Sequence, residues 1–343
     1  IMMFLTVLAA AAGLGLAGAA ARLDDQIGGR VIRDNGSIAR IVEHRDASDA
    51  ERAIDEINSG IYVFDLQPLF ASLRQIGSRN AQGEYYLPDL VALYRARGLT
   101  VETMKLDDAN EIRGVNSRSE LAALSREARL RTAEALMAAG VTIEDPATAY
   151  IDATVEIGPD TIIHPGVSLE GSTRIGARCE IHSGSRLVNA RLADDVLVRN
   201  HCVIVESSIE ANATVGPFAH IRPESAIGPG AHVGNFVELK KTSMAAGAKA
   251  NHLAYLGDAT IGARANVGAG TITCNYDGEQ KHQTVIEEGA FIGSDTQLVA
   301  PVRVGKGAYV AAGSSIVEDV PDGALAAWRS RSMAVYRWLW RCG

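Results

Sequence analysis

Aliphatic residues recur at every sixth position through the second half of the chain. The first run is Ile157, Ile163, Leu169, Ile175, Ile181 and Leu187. The second run is Ile286, Ile292, Leu298, Val304, Val310 and Ile316. Between them the pattern continues with occasional five-residue steps. A period of six is neither the 3.6 of a helix nor the 2 of a strand. It is typical of hexapeptide solenoids, in which about 18 residues form one triangular coil.

Small residues often follow the aliphatic position, as Gly158, Gly176 and Gly293 do. A glycine there lets the chain turn a corner without a Cβ clash. Aromatic residues make up only 5% of the chain, as a narrow aliphatic interior requires. We therefore expect a mainly β protein built on a left-handed parallel β-helix. The left-handed winding is taken from the repeat class, because crossovers between parallel strands are otherwise right-handed.

The region upstream of the repeats mixes short apolar strands with helical stretches, which indicates an α/β domain. The segment Ser117-Arg-Ser-Glu120 has the pattern of a capping box and predicts a helix that Gly140 ends. We predict four parts: a truncated α/β nucleotidyltransferase-like domain over 1–116, a connecting helix and linker over 117–147, the β-helix over 148–320, and a tail over 321–343.

Residues 1–21 are almost wholly apolar, but no Lys or Arg precedes them as a signal peptide would require. We interpret them as buried core of the first domain and expect no membrane span. The net charge of -8 argues against nucleic-acid binding, which needs basic surfaces. None of the four cysteines forms a C-x-x-C pair, so we expect neither a zinc-cysteine site nor disulfides, and a cytoplasmic setting.

Several stretches resemble one enzyme family. They are RPESAIGPGAHVGNFVELKKTSMAAGAKANHLAYLGD (222–258), NVGAGTITCNYDG (266–278) and GSDTQLVAP (293–301). They are similar to the acetyltransferase half of the bacterial bifunctional N-acetylglucosamine-1-phosphate uridylyltransferase/glucosamine-1-phosphate N-acetyltransferase family. Upstream, IVEHRDAS, EINSGIY, NAQGEYYLPDLV and EIRGVNSR resemble the latter half of its uridylyltransferase domain. The resemblance covers roughly residues 22 to 329.

The start of the family's first domain has no counterpart in this sequence. Its glycine-rich nucleotide loop and its magnesium-binding Asp are both missing. The resemblance implies a remnant of the sugar pocket at Gly29, Glu43, Asn58 and Asn116, with Asn116 as a Mg²⁺ ligand. Uridylyl transfer from UTP needs cations to neutralise the triphosphate. We therefore expect this second activity of the family to be lost here.

Acetylation of a sugar amine by acetyl-CoA is aminolysis of a thioester, and it needs a base. The resemblance implies that His252 is this general base, a task that suits an imidazole. It also implies a phosphate clamp of Arg222 and Lys240. Their separation along the chain equals one coil length, so they should be neighbours on successive coils. The matching sugar-binding positions are Tyr255, Asn266, Asn275 and Tyr276, with Glu238 nearby.

The resemblance further implies acetyl-CoA contacts at Ala269, Ser294, Ala312 and Arg329. The backbone of Ala269 would act as an oxyanion donor, and Arg329 would meet a CoA phosphate. Lys281 in the loop at 275–282 is a weaker candidate for the site. A convex prism has no deep cleft, so we expect the site to form between subunits of a homotrimer.

Three other functions remain open. The chain could be a different hexapeptide acyltransferase, acting on serine, another amino sugar or an acyl-carrier substrate. It could be a metal enzyme of the β-helical carbonic anhydrase type, since His164 and His182 lie one coil apart, although no further His is in register with them. Because the first domain is incomplete, it could also be a non-catalytic relic.

Overall fold

The computed structural model describes residues 6–11, 29–106, 115 and 117–327 of the 343-residue chain. Contacts divide it into two compact units, one ending at Leu121 and one beginning at Ala122. The predicted connecting helix (α4, Arg118–Ala138) spans this division. The four-part division of the sequence therefore stays a prediction.

The first unit contains a five-stranded mixed sheet in the order β3-β2-β4-β1-β5. Its strands are β1 (Thr6–Ala11), β2 (Arg30–Asp34), β3 (Ser37–Val42), β4 (Glu56–Tyr62) and β5 (Glu102–Leu106). Its helices are α1 (Asp49–Arg52), α2 (Leu66–Leu73) and α3 (Asp89–Ala96). A small core joins α3 to the sheet, with Leu90 and Tyr94 packed near Val31 and Ile38.

The apolar start of the chain enters this sheet. Strand β1 pairs antiparallel with β4 and parallel with β5, which puts it at an inner position. The interpretation of residues 1–21 as buried core stays a prediction, since residues 1–5 and 12–28 lie outside the described part. None of the helices in the described ranges has a stretch that is both long and apolar enough to cross a bilayer.

Helix α4 begins where the capping pattern predicts. The hydroxyl oxygen of Ser117 accepts a hydrogen bond from the backbone N–H of Glu120 at 3.2 Å. The helix ends at Ala138, and Gly140 follows with a φ of +97°, a conformation that favours glycine. Ala133 of this helix is buried in the same core as Val141 and Ile143, at the entrance to the solenoid.

The second unit is a left-handed parallel β-helix with three sheets, as predicted. Face A has ten strands: Tyr150–Ile151, Ser168–Glu170, Arg186–Val188, Val203–Val205, His220–Ile221, Glu238–Lys240, Tyr255–Gly257, Ile272–Cys274, Gln297–Val299 and Ser315–Ile316. Face B has nine strands: Glu156–Ile157, Arg174–Ile175, Arg191–Leu192, Ser208–Ile209, Ala226–Ile227, Ser243–Met244, Ala259–Ile261, Thr284–Ile286 and Val302–Val304. Face C has eleven strands: Thr142–Ile143, Ile162–Ile163, Glu180–Ile181, Leu197–Val198, Thr214–Val215, His232–Asn235, Lys249–His252, Asn266–Val267, Phe291–Ile292, Tyr309–Val310 and Leu325–Ala326.

The aliphatic residues of the repeat fill the interior of this prism. Leu169, Leu187 and Ile204 align on successive coils of face A and are fully buried. All six residues of the second run are also buried, and only Ile157 of the first run is partly exposed. The register advances by one coil at each step, from Leu169 to Leu187 and from Leu187 to Ile204. Residues on either side of each interior position therefore point outward.

One coil is longer than the others. On face A, Ile272 pairs with Tyr255, 17 residues before it, and with Gln297, 25 residues after it. The additional chain forms the loop at 275–282, in which Tyr276 and Lys281 form an antiparallel bridge. The break that the sequence predicts at this place is therefore a loop that projects from face A.

We expect Leu187→Ala to lower the free energy of unfolding by about 2–5 kcal/mol, because the fully buried side chain leaves a cavity inside the coil. The matched control is Val188→Ala, on the outer side of the same strand, with an expected loss under about 1.5 kcal/mol. Urea unfolding followed by circular dichroism measures both. Equal losses would contradict the assignment of inner and outer positions.

Candidate active site on one corner of the β-helix

Three cations lie together on the outer surface of face A, and we call Arg222, Lys240 and Lys281 the cation cluster. Ile221 and Leu239, the residues just before Arg222 and Lys240, are register partners on face A. The N–H of Arg222 donates to the oxygen of Leu239. The two residues are therefore neighbours on successive coils, as their spacing predicts. Lys281 comes from the loop at 275–282 and reaches the side chain of Lys240.

Two carboxylates hold the first two cations in place. Arg222 donates from Nη1 to Oε1 of Glu238 at 2.9 Å. Lys240 donates from Nζ to Oδ2 of Asp258 at 3.2 Å, and both side chains are mostly buried. Burial raises the pKa of Asp258, but hydrogen bonds from Asn275 and Lys240 outweigh it and lower the pKa overall. Asp258 therefore stays ionised and fixes Lys240.

The loop that carries Lys281 is braced by its own hydrogen bonds. The N–H groups of Glu279 and Gln280 donate to Oδ1 of Asp277. Asp277 also contacts Nε2 of His282 at 2.6 Å, and the pKa of its carboxyl is well below the usual range, first because of Gln280 and then because of His282. Asp277 therefore stabilises the loop conformation that presents Lys281.

The cation cluster carries more positive than negative charge. The pKa of Lys281 is lowered, first by its contact with Lys240 and further by the charge of Arg222. Two carboxylates, those of Glu238 and Asp258, oppose the three cations. An anion that enters would relieve this repulsion and would meet both a planar guanidinium and two ammonium groups, a combination that suits a phosphate.

A position without a side chain lies beside Lys240 on face A. Gly257 is the register partner of Lys240, and a Cβ built on it would lie 2.5 Å from the hydroxyl of Tyr255 and 2.7 Å from Nδ2 of Asn275. The hydroxyl of Tyr255 and the amide of Asn275 therefore point to the same place. Together with the cation cluster they can bind a phosphorylated ligand that also presents hydroxyl groups.

His252 lies at the adjacent corner of the prism, at the end of its strand on face C. Its Nδ1 lies 2.6 Å from Oδ1 of Asn235, its register partner on the preceding coil. Because a carbonyl oxygen can only accept, Nδ1 carries the proton, and Nε2 of the neutral ring has a free lone pair. Leu253 turns the corner, and Tyr255 begins the next strand shortly after it. The Cα atoms of His252 and Tyr255 are therefore at most about 11 Å apart.

The predicted acetyl-CoA contacts continue the line of His252 along the same corner. Ala269, Ser294 and Ala312 each follow a strand of face C on successive coils. The oxygen of Ala269 accepts from Asp295 N–H at 2.7 Å, and the oxygen of Ser294 accepts from Gly313 N–H at 2.8 Å. We call His252 and these three residues the corner column. The prism thus offers a continuous edge of small side chains that ends at an imidazole.

Some predicted residues lie elsewhere. Asn266 is on face C, half-buried, and separated from the cation cluster by the corner. Tyr276 is exposed, and its hydroxyl donates to the oxygen of Gly278 within the loop. Arg329 lies outside the described residues.

The predicted sugar-pocket residues of the first unit are also partly assembled. The N–H of Asn58 donates to the oxygen of Gly29 at 2.8 Å, and Nδ2 of Asn58 donates to the hydroxyl of Tyr62 at 2.5 Å. Burial raises the pKa of Glu43, and the charges of Asp46 and Asp89 add to the effect. Asn116, the predicted Mg²⁺ ligand, lies outside the part of the chain that the structure describes.

Two site residues were missed from the sequence, namely Asn235, which orients His252, and Asp258, which holds Lys240. Asn235 comes one coil before His252 in the sequence, and Asp258 comes one coil after Lys240. A search for polar residues one coil away from each candidate would therefore have found them.

Comparisons with known proteins agree with the repeat. The family "Bacterial transferase hexapeptide (six repeats)" matches residues 154–189 and 206–241, and "Hexapeptide repeat of succinyl-transferase" matches 283–318. The bifunctional protein GlmU of Anaeromyxobacter sp. is 54% identical over 338 residues, which is 98% of this chain and 69% of the relative. That of Koribacter versatilis is 49% identical over 314 residues, which is 90% of this chain and 67% of the relative.

Among solved structures, the UDP-N-acetylglucosamine acyltransferase of Francisella novicida matches with a TM-score of 0.36 and 18% identity. The match covers 54% of this chain and 66% of that one. The corresponding acyltransferase of Arabidopsis has a TM-score of 0.38 and 15% identity over 55% of this chain and 70% of that one.

Proposed function

The chain belongs to the family of bifunctional GlmU proteins, which it matches at about 50% identity over 90% or more of its length, and on this premise we propose that it acetylates glucosamine-1-phosphate with acetyl-CoA. The product is N-acetylglucosamine-1-phosphate, a precursor of UDP-N-acetylglucosamine. One observation carries the proposal: an imidazole with a free Nε2 and a cluster of three cations lie on either side of a single corner of the prism. That arrangement suits a small molecule with an amine at one end and a phosphate at the other.

His252 is the proposed general base. Its Nε2 takes a proton from the sugar ammonium, because Nδ1 already donates to Asn235. The free amine then attacks the carbonyl carbon of the thioester, the C–N bond forms, and the nitrogen loses its second proton to water. The imidazolium of His252 returns its proton to the sulfur as the C–S bond breaks, so that CoA leaves as the thiol. The backbone N–H of Ala269, on the next coil of the corner column, would stabilise the oxyanion that develops in between.

The cation cluster is the proposed phosphate site, with Lys281 joining Arg222 and Lys240. Tyr255 and Asn275 would bind hydroxyl groups of the sugar beside Gly257. Asn266 and Tyr276 are kept as proposed sugar contacts from the neighbouring face and the loop. Acetyl-CoA would run along the corner column past Ser294 and Ala312. Arg329, which lies outside the described residues, stays a proposed contact of a CoA phosphate.

For the first unit, the proposal is limited to binding part of a sugar nucleotide through Gly29, Glu43 and Asn58. Mg²⁺ would be needed only for uridylyl transfer, and its predicted ligand Asn116 lies outside the described residues. The cytoplasmic setting predicted from the cysteine pattern stays a prediction. Cys179, Cys202 and Cys274, the cysteines in the described part of the chain, are free, and burial raises the pKa of Cys202 to about 11.

We further propose a homotrimer, supported by an exposed apolar ladder beside His252. Phe218, Phe236 and Leu253 occupy the same corner on successive coils, and 48%, 55% and 61% of their surfaces are exposed. All three have left-handed backbone conformations, with φ of +55°, +54° and +47°, which bulky residues rarely adopt. A second copy that covers this ladder would also close the open side of the site, and three copies give a closed ring.

We expect His252→Gln to lower kcat by about 100- to 10,000-fold in a thiol-release assay with acetyl-CoA and glucosamine-1-phosphate, because the amine loses its base. The matched control is His182→Gln, on the same face and four coils away, which should retain full activity. Serine and unphosphorylated glucosamine are tested as alternative acceptors. The proposal fails if the parent protein does not acetylate glucosamine-1-phosphate or if the His252 variant is as active as the parent.

Lys240→Gln should raise KM for glucosamine-1-phosphate by about 10- to 100-fold, because one charge-assisted contact to the phosphate is lost. The KM for acetyl-CoA should stay unchanged. Lys241→Gln is the control, since Lys241 pairs with Glu224 outside the cluster. Steady-state kinetics with glucosamine-1-phosphate and with unphosphorylated glucosamine measures these KM values. If the Lys240 variant loses as much activity on unphosphorylated glucosamine as on the phosphate ester, Lys240 does not bind the phosphate.

Light scattering of the protein should give three times the chain mass of 36.3 kDa. Phe236→Ser should shift the equilibrium toward smaller species, because it removes apolar surface from the proposed interface. The control is Tyr150→Ser, another exposed aromatic residue but in the first coils of face A. A parent protein of one chain mass at micromolar concentration would contradict the trimer.

A further inference from the structure

A second constellation of ligand-type side chains lies at the other end of face C. His164, Glu180 and His182 each offer one atom within 4.8 Å of the other two. Nε2 of His164 is 3.1 Å from Oε1 of Glu180, and Nε2 of His182 is 2.9 Å from the same oxygen. Across the described ranges of the chain, this is the only group of three His, Cys, Asp or Glu that meets this criterion.

Coil register builds this group. The strands Thr142–Ile143, Ile162–Ile163 and Glu180–Ile181 are consecutive on face C. Glu144, His164 and His182 each follow one of these strands and stack one above the next. Glu180 precedes His182 by two residues on the same coil. Two coils thus direct two imidazoles and one carboxylate toward one point, and a third supplies Glu144 behind His164.

Each imidazole is also oriented from behind by an oxygen. Nδ1 of His164 lies 2.9 Å from Oε2 of Glu144, and Nδ1 of His182 lies 3.4 Å from Oδ1 of Asn200. These contacts place the proton of a neutral ring on Nδ1 and turn the Nε2 lone pair outward. A histidine that binds a metal through one ring nitrogen usually donates a hydrogen bond from the other nitrogen to an oxygen.

With both rings neutral, hydrogen bonds alone do not satisfy these contacts. The two rings make four contacts with oxygen acceptors, but two neutral imidazoles carry only two N–H groups. Two Nε2 lone pairs would therefore face a carboxylate oxygen. A divalent cation between them would turn this repulsion into coordination, and its charge would balance those of Glu144 and Glu180.

The spacing also fits a small transition-metal ion. Bonds of about 2.0–2.2 Å in a tetrahedral arrangement put neighbouring ligand atoms roughly 3.3 Å apart. The two N···O separations of 3.1 and 2.9 Å are close to this value. Imidazole with carboxylate suits Zn²⁺, Ni²⁺ or Cu²⁺, whereas Mg²⁺ and Ca²⁺ prefer oxygen ligands alone. All three side chains are half-buried, which leaves room for a water molecule as the fourth ligand.

We propose that His164, His182 and Glu180 bind one first-row divalent transition-metal ion, with Glu144 orienting His164. The ion would tie together the second and third coils of face C, and Glu144 would extend the group to the first coil. Four strand spacings of about 4.8 Å, or about 19 Å, separate this place from the strand of His252. The metal would therefore stabilise the β-helix and take no part in acetyl transfer.

The test is a calorimetric titration of tag-free, metal-stripped full-length protein with Zn²⁺ and with Mg²⁺, followed by the melting temperature. We expect one equivalent of Zn²⁺ per chain, a higher Tm with Zn²⁺, and no response to Mg²⁺. His182→Gln should weaken Zn²⁺ binding at least 100-fold by loss of a ligand. Glu144→Gln should weaken it by about 10- to 100-fold by loss of orientation. His201→Gln is the matched control, because His201 stacks on Phe218 outside the group, and it should bind like the parent.

Two results would overturn the proposal. One is a parent protein that takes up no Zn²⁺. The other is a His182→Gln variant that binds Zn²⁺ like the parent, which would place the ion on other groups such as the thiols. Circular dichroism checks that each variant is folded. If His182→Gln does not fold, Glu144→Gln still tests the proposal. The acetyl-transfer activity of all variants is also measured and should equal that of the parent. A failure of the metal proposal can therefore be told apart from a failure of the proposed acetyltransferase function.

Discussion

The aliphatic column inside the prism determines where every outward side chain of the second unit lies. Leu187, Ile204 and Ile221 can be buried only if each coil repeats the path of the preceding one. That requirement fixes the length of a coil and a parallel register on all three faces. Because the strands are short and bonded to both neighbours, an outward residue has little freedom to shift along the axis. Sequence intervals of one coil therefore become contacts of about 5 Å.

The candidate site uses this property twice. On face A, the coil repeat places Arg222 beside Lys240 and Lys240 beside Asp258, so that cations and their supporting carboxylates alternate up the surface. At the corner, the same repeat places Asn235 against His252 and fixes the protonated nitrogen of the imidazole. The proposed metal group at the start of face C follows the same rule, with one oxygen behind each imidazole.

Two departures from the regular repeat are found near the candidate site. The coil that runs from Ile272 to Gln297 is lengthened, and the loop inserted there brings in Lys281, which no regular coil could supply. The corner beside His252 carries Phe236 and Leu253 in left-handed conformations, where earlier coils of the same corner carry Gly166 and Gly184. Backbone strain of this kind persists only where it is offset elsewhere, and the exposed apolar ladder is the feature that a neighbouring subunit would cover.

The sequence by itself determined the architecture of the second unit, the connecting helix and the neighbouring positions of Arg222 and Lys240. It could do so because the hexad period and the capping residues are local patterns, and because one repeat length converts separation along the chain into separation in space. Only the tertiary structure decided which faces the candidates occupy: Asn266 lies on face C, whereas Lys281 joins the cation cluster on face A. It also revealed Asn235, Asp258 and the carboxylates around His164, because a search for one residue type in register overlooks partners of another type. These contacts depend on side-chain rotamers and on the path of the loop. Both are set by neighbouring residues from other coils, and neither produces a periodic pattern in the sequence.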